Sequence, residues 1–165
     1  MAFTHAPGWQ PPIGSNILKG LGAGAGRFGA YGVRFSGPDQ KDLQGDYFSA
    51  ATDFGPRNGD GSPVMIHHGL PLEDGLEAFA NVVLPPAKVE RDPYGLFAST
   101  RLDLGDPLQV AIAELITQGF FWWSSGSTPQ LVKRDPDGRL ARWYPVEFSL
   151  TPNPAEPRLR PLRQL

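Results

Sequence analysis

Three groups of side chains with the chemistry for nucleophilic hydrolysis stand far apart in this sequence. A histidine pair, His67 and His68, closes the apolar run V-M-I at 64–66 and precedes Gly69. A serine pair, Ser124 and Ser125, closes the aromatic run F-F-W-W at 120–123 and precedes Gly126. A carboxylate, Glu147, interrupts the apolar run V-E-F-S-L at 146–150. A serine hydroxyl is a poor nucleophile until a base takes its proton, and a neutral imidazole is the usual base. That imidazole needs an acceptor on its far nitrogen, to fix its tautomer and to stabilise the imidazolium. A carboxylate in an apolar strand needs a partner when it is buried. Each group also has a plainer reading. The serines fit a strand end that meets water, the histidine a ring satisfied by a backbone carbonyl, and the glutamate the solvent face of an edge strand. The order His, Ser, acid is compatible with a triad, but unrelated proteases use several orders.

Other chemistries are weaker. Asp42, Asp46 and Asp53 form an acidic cluster that, with His67, would suit a metal-dependent hydrolase. Their spacing is not that of a calcium loop, and such residues more often form turns and caps. Adjacent histidines in a strand point to opposite faces, which argues against a two-histidine metal site. The remaining histidine, His5, is isolated in an N-terminal stretch. The G-A-G-A-G run at 22–26 resembles a nucleotide loop only superficially. No strand precedes it and no G-K-[ST] follows. No metal and no cofactor are expected.

Composition narrows the classes further. The 165 residues are enough for one domain with a real core, and 40% hydrophobic and 11% aromatic content excludes disorder throughout. The formal net charge of -2 leaves no basic excess for nucleic acid. The absence of cysteine removes disulfides, thiolate catalysis and cysteine-bound zinc. No apolar run approaches the ~20 residues needed to span a bilayer. The N-terminus lacks a charged-then-apolar secretory pattern, so intracellular synthesis is expected. High glycine and proline without a repeat imply many turns between short strands. The expected fold class is therefore mainly β with a few helices, α+β.

These groups must be positioned by the elements around them. Residues 1–26 read as a flexible arm, punctuated by proline and glycine. Phe28 to Phe35 is a strand, and Val64 to Ile66 is a short strand leading to the histidines. Glu77 to Leu84 reads as a strand ended by Pro85-Pro86. Lys88 to Glu90, a turn at Asp92–Gly95 and Leu96 to Leu104 make a hairpin. Asp106 caps a helix with Pro107 at its first position, and Leu108, Ala111, Ile112, Leu115 and Ile116 share one face. Gly119 stops that helix. Phe120 to Trp123 is too bulky and β-prone to continue it, and reads as a buried strand ending on the serines. Gln130 to Lys133 extends or pairs with that strand. Arg139 to Leu150 is a last strand, with Pro145 at an edge or bulge. Residues 158–165 form a basic, proline-containing tail, read as a solvated linker.

An ordered set of these pieces resembles a known family. V-M-I-H-H-G at 64–69, the strand G-L-F-A-S-T-R-L at 95–102, the helix-to-serine stretch ending W-S-S-G and V-E-F-S-L-T-P-N-P at 146–154 follow one another. The chain resembles the prohead (capsid maturation) serine proteases of tailed phages, HK97 type, from about Phe28 to Pro157. The resemblance implies His68 as base, Ser124 as nucleophile and Glu147 as the orienting acid. Ser125 is a rival because the family commonly has S-I-G or similar and the middle residue here is a second serine, and His67 is likewise a rival to His68. It implies a protease domain at 27–157 with a closed β-barrel similar to herpesvirus assemblin proteases, often dimeric. It implies cleavage of the scaffold segment of the major capsid protein and of the protease itself, inside proheads assembled in the host cytoplasm. The alternative is a non-catalytic capsid-assembly or scaffold-binding module on the same fold.

Overall fold

The fold was obtained as a computed structural model that describes residues 26–70, 72, 77–80 and 82–165. The expected arm at 1–26 falls almost wholly outside the described residues. The strands in chain order are β1 (Arg27–Arg34), β2 (Val64–Ile66), β3 (Lys88–Arg91), β4 (Gly95–Arg101), β5 (Trp122–Gly126), β6 (Val132–Arg134), β7 (Leu140–Trp143), β8 (Glu147–Thr151) and β9 (Arg163–Gln164). One α-helix, α1 (Pro107–Thr117), lies between β4 and β5. A four-stranded sheet has the order β3-β4-β1-β9, a three-stranded sheet β2-β8-β5, and a two-stranded sheet β6-β7.

The expected closed barrel does not form. Among the described residues every sheet stays open. Closure requires an unbroken hydrogen-bonded ladder around the whole circuit. Here the free side of β1 is taken by the short β9, which pairs only at Phe28 and Gly29. β5 runs close to β1 but does not pair with it. The two sheets meet through side chains instead. A Cβ placed on Gly32 of β1 would lie 2.8 Å from the Phe148 ring of β8 and 3.3 Å from Trp123 Cβ of β5. Gly32 also sits at the break in register between β1 and β4. The missing side chain thus allows face-to-face packing where a ladder would otherwise continue. Phe28, Leu96, Ala98, Ile112, Trp123, Phe148 and Leu150 are fully buried in the core this creates. Each large side chain of that set contributes about 1.5–3 kcal/mol by burial.

Other expectations are corrected at the level of single elements. The strand read at Glu77 to Leu84 is a 3-10 turn at Glu77–Phe79, and among the described residues of this stretch only Leu84 forms a bridge, to Val64. Phe79 is a buried anchor there, and Pro85-Pro86 prevents further pairing. The strand read from Arg139 to Leu150 is two strands in different sheets. Pro145 interrupts the ladder between β7 and β8, so the chain changes partners there. The tail is no linker. Leu159 and Leu162 are buried, and Arg163–Gln164 pairs with β1.

The helix begins and ends where the sequence requires. Asp106 accepts a hydrogen bond from the Leu108 N–H at 2.9 Å, and Gly119 adopts a left-handed φ of 74°. More than one face is covered, however, because Gln109, Ala113 and Glu114 are also buried. Glu114 is 3% exposed and its Oε2 has no hydrogen-bond partner. Burial pushes this carboxyl above the ordinary glutamate range. A folded-state value above the unfolded one means that the cost of ionising the buried group is absent at low pH. It grows as pH rises past the unfolded value of about 4.3. Glu114→Gln is therefore expected to raise Tm at pH 7 by roughly 2–5 °C. In thermal unfolding measured from pH 7 to pH 4, that gain shrinks steadily toward the acid end.

Candidate active site

The site is built on one face of β8. Successive strand residues alternate sides, so Glu147, Ser149 and Thr151 share a face, while Phe148 and Leu150 point into the core. β8 is the centre of its sheet, with β2 parallel on one side and β5 antiparallel on the other. In the antiparallel pairing Trp122 lies opposite Thr151, Ser124 opposite Ser149, and Gly126 opposite Glu147. Directly opposed residues project to the same side. Ser124 therefore shares the face of Glu147 and Ser149. Ser125, opposite Phe148, projects to the other side, where its Oγ accepts a hydrogen bond from Trp143 Nε1 at 3.1 Å.

The histidines reach that face from the other edge. β2 stops at Ile66, and His67, His68 and Gly69 follow with φ of 47°, 58° and 69°. Three left-handed residues in a row reverse the chain over the sheet. Such a conformation is costly for non-glycine residues, of order 1–3 kcal/mol each, and is held only where the surroundings compel it. The expectation that the two rings point to opposite faces fails, because neither histidine is in the strand. His68 Nδ1 lies 2.6 Å from Glu147 Oε1, and His67 Nδ1 lies 2.9 Å from Thr151 Oγ1. Both rings thus contact the same face of β8, at its two ends.

Glu147 is held from three directions. His68 meets one carboxylate oxygen, and the Ser149 hydroxyl donates to the other. Ser149 Oγ in turn accepts from the backbone N–H of His68 at 3.1 Å. Gly126 supplies the space. A Cβ there would come within 2.8 Å of Glu147 Cδ and would overlap Oε1. The Glu147 side chain is 12% exposed and that of His68 is 31% exposed. The carboxylate is sequestered while the imidazole remains reachable. Because Nδ1 is engaged by the carboxylate, the proton is assigned there and Nε2 is left for another partner.

Ser124 and His68 line the same two hollows. One is a cavity of about 130 Å³ that also takes in Asp46, Phe48, Trp143 and Glu156. The other is a more open cleft of about 520 Å³ along Leu43, Trp122 and Pro152 to Pro154. Two acidic groups at the cavity, Asp46 and Glu156, have arginine partners. Burial pushes the Asp46 carboxyl upward, against the pull of the Arg134 guanidinium paired with it. Burial would also raise Glu156, but the hydrogen bonds from Arg158 outweigh it and hold that carboxyl below its ordinary range. Asp53 instead accepts from the Tyr144 hydroxyl at 2.8 Å and from the Gly55 N–H at 2.9 Å. Asp42 Oδ1 accepts the Asp46 N–H at 2.9 Å while Asp53 has partners of its own, and among the described residues no group of three or more histidine or acidic side chains is placed to hold a metal ion.

The structure therefore brings His68 and Glu147 into contact and sets Ser124 on the same face, beside the same cavity. It directs His67 to Thr151 and Ser125 to Trp143. Reading the sequence by motif missed Ser149 and the role of Gly126. The strand period of two, applied from Glu147, would have put Ser149 on the same face. No local signal pairs Gly126 with Glu147, since that contact depends on register between distant strands. No protein-family model, curated protein or solved structure matches the chain.

Gly126 has no left-handed φ, so an added methyl would act through space alone. Gly126→Ala is expected to displace the Glu147 carboxylate and break its hydrogen bond with His68. Proton NMR should then lose the far-downfield Nδ1–H resonance of His68, while the protein stays folded by circular dichroism.

Proposed function

We propose that this chain is a serine endopeptidase whose Ser124, His68 and Glu147 act as nucleophile, base and orienting acid. The observation that carries the reading is the 2.6 Å contact of His68 Nδ1 with Glu147 Oε1, on the face of the sheet that also bears Ser124. In this reading His68 Nε2 takes the Ser124 proton as Oγ adds to the scissile carbonyl. The imidazolium that forms is stabilised by Glu147 and then protonates the departing amine. Water, deprotonated by the same nitrogen, releases the acyl group and restores the serine. Ser124 stands where the cavity meets the cleft, so a substrate chain lying in the cleft can place one side chain in the cavity. Neither step calls for a metal or a cofactor.

The substrate follows from the family resemblance of the sequence motifs. The proposed targets are the scaffold segment of a major capsid protein and the protease itself. The setting is the interior of a phage prohead, assembled in the host cytoplasm, with the protease acting as a dimer or higher oligomer. Neither nucleic acid nor membrane is among the proposed partners.

Co-expression with a capsid precursor, followed by mass spectrometry, tests the proposal. Ser124→Ala should lower the cleavage rate by ~10⁴-fold or more. Ser125→Ala should retain most of the activity, because that hydroxyl serves Trp143. Cleavage that survives in Ser124→Ala and disappears in Ser125→Ala would move the nucleophile one residue. Survival in both variants would exclude both serines as nucleophile, and no cleavage by the wild-type chain would leave a non-catalytic, scaffold-binding module on this fold.

A further inference from the structure

We propose that Ser149 is a positioning residue for the base, and that its hydroxyl sets the reactivity of Ser124 without touching the substrate. The proposal rests on the hydrolase reading above and adds a fourth side chain to it. Ser149 is fully buried in the centre of the three-stranded sheet. A buried hydroxyl has one proton to give and lone pairs to accept with. Here the proton goes to Glu147 Oε2, and the oxygen accepts the N–H of His68 at 3.1 Å. Both groups that Ser149 holds belong to the same functional pair. One is the carboxylate that orients the imidazole, and the other is the backbone that carries it.

That backbone requires holding. His68 has φ 58° and ψ 24°, a left-handed conformation with no glycine to ease it. The Ser149 contact fixes the N–H of this strained residue directly over β8. The same hydroxyl prevents the Glu147 carboxylate from rotating, because Oε2 is tethered while Oε1 faces Nδ1. The register then places Ser124 opposite Ser149. One hydroxyl thus relates nucleophile, base and acid across β5, β8 and the turn that follows β2. An alanine at 149 would leave the Glu147 oxygen and the His68 N–H without this partner, and the ring would lose its fixed position relative to Ser124.

A fluorophosphonate reagent that phosphonylates an activated serine provides the test. In this step Oγ forms a bond to phosphorus, fluoride leaves, and the serine proton passes to the base. The whole 165-residue chain is used, and the maximal inactivation rate and the half-saturating concentration are measured separately. Ser149→Ala should lower the maximal rate by roughly 10- to 100-fold with little change in half-saturation. Ser149→Thr, which keeps the hydroxyl, should recover most of the lost rate. The Nδ1–H resonance of His68 should broaden or move upfield in the alanine variant and return in the threonine variant. Should Ser149→Ala fail to fold, Ser149→Cys, a weak donor of nearly equal size, carries the same expectation of a lowered maximal rate. Equal maximal rates in wild type and a folded Ser149→Ala would overturn the role of Ser149 and leave the hydrolase reading standing. A wild-type protein that takes no label at all would overturn that reading first.

Discussion

The hydrogen bond between His68 and Glu147 is the interaction on which the rest of the site depends. It joins a ring beyond the end of β2 to a carboxylate at the start of β8, 79 positions later in the chain. Neither partner is placed by its own neighbours in sequence. The ring arrives because three consecutive left-handed residues fold the chain back over the sheet. The carboxylate arrives because Gly126, opposite it on β5, leaves room for it to lie across the strand. A mostly buried carboxylate that lost this hydrogen bond would be left with an unsatisfied acceptor, which is unfavourable. The geometry is therefore held by mutual need as well as by packing.

The surrounding fold protects this arrangement. Behind it, Trp123, Phe148 and Leu150 form the apolar floor, and Trp123 Nε1 satisfies itself on the Ala98 carbonyl at 3.0 Å. In front, the 42–48 segment and the 152–159 segment wall the cavity. They are joined by the Leu43 N–H to Ala155 carbonyl bond and by Arg158 reaching the Gln40 carbonyl. Asp46 and Glu156 stand near the serine, and each is paired with an arginine. Pairing lowers the charge these carboxylates present to the imidazole, so Glu147 is the acid in direct contact with it.

Much of the local structure was legible in the sequence, because local chemistry determined it. The helix cap at Asp106, the stop at Gly119 and the hairpin turn at Asp92 each rest on neighbouring residues. The candidate chemistry was legible for a similar reason. A histidine pair, a serine pair and a lone glutamate in apolar runs are unusual enough to single out. What the sequence did not carry was pairing. The barrel expectation failed because β9 and Gly32 decide how β1 ends and packs, and neither announces a partner. The single strand from Arg139 to Leu150 failed because Pro145, which fits an edge or a bulge in one strand, marks a change of sheet. The difference in surroundings between the two adjacent serines appears only in the register. Ser124 faces Ser149, and Ser125 faces Phe148, but that distinction is invisible until β5 is laid against β8.

Register also explains why Ser149 and Gly126 escaped a motif-based reading. Their importance comes from what lies opposite them, and a serine or glycine in a strand looks ordinary in one dimension. The central claim is that an imidazole already held by Glu147 activates Ser124 and no other hydroxyl. Its most direct measurement is peptide mapping by tandem mass spectrometry after exposure of the intact protein to diisopropyl fluorophosphate. The account predicts a single phosphoryl adduct on Ser124, absent when His68 is replaced by alanine. An adduct on Ser125, or an adduct on Ser124 that forms equally well without His68, would contradict it.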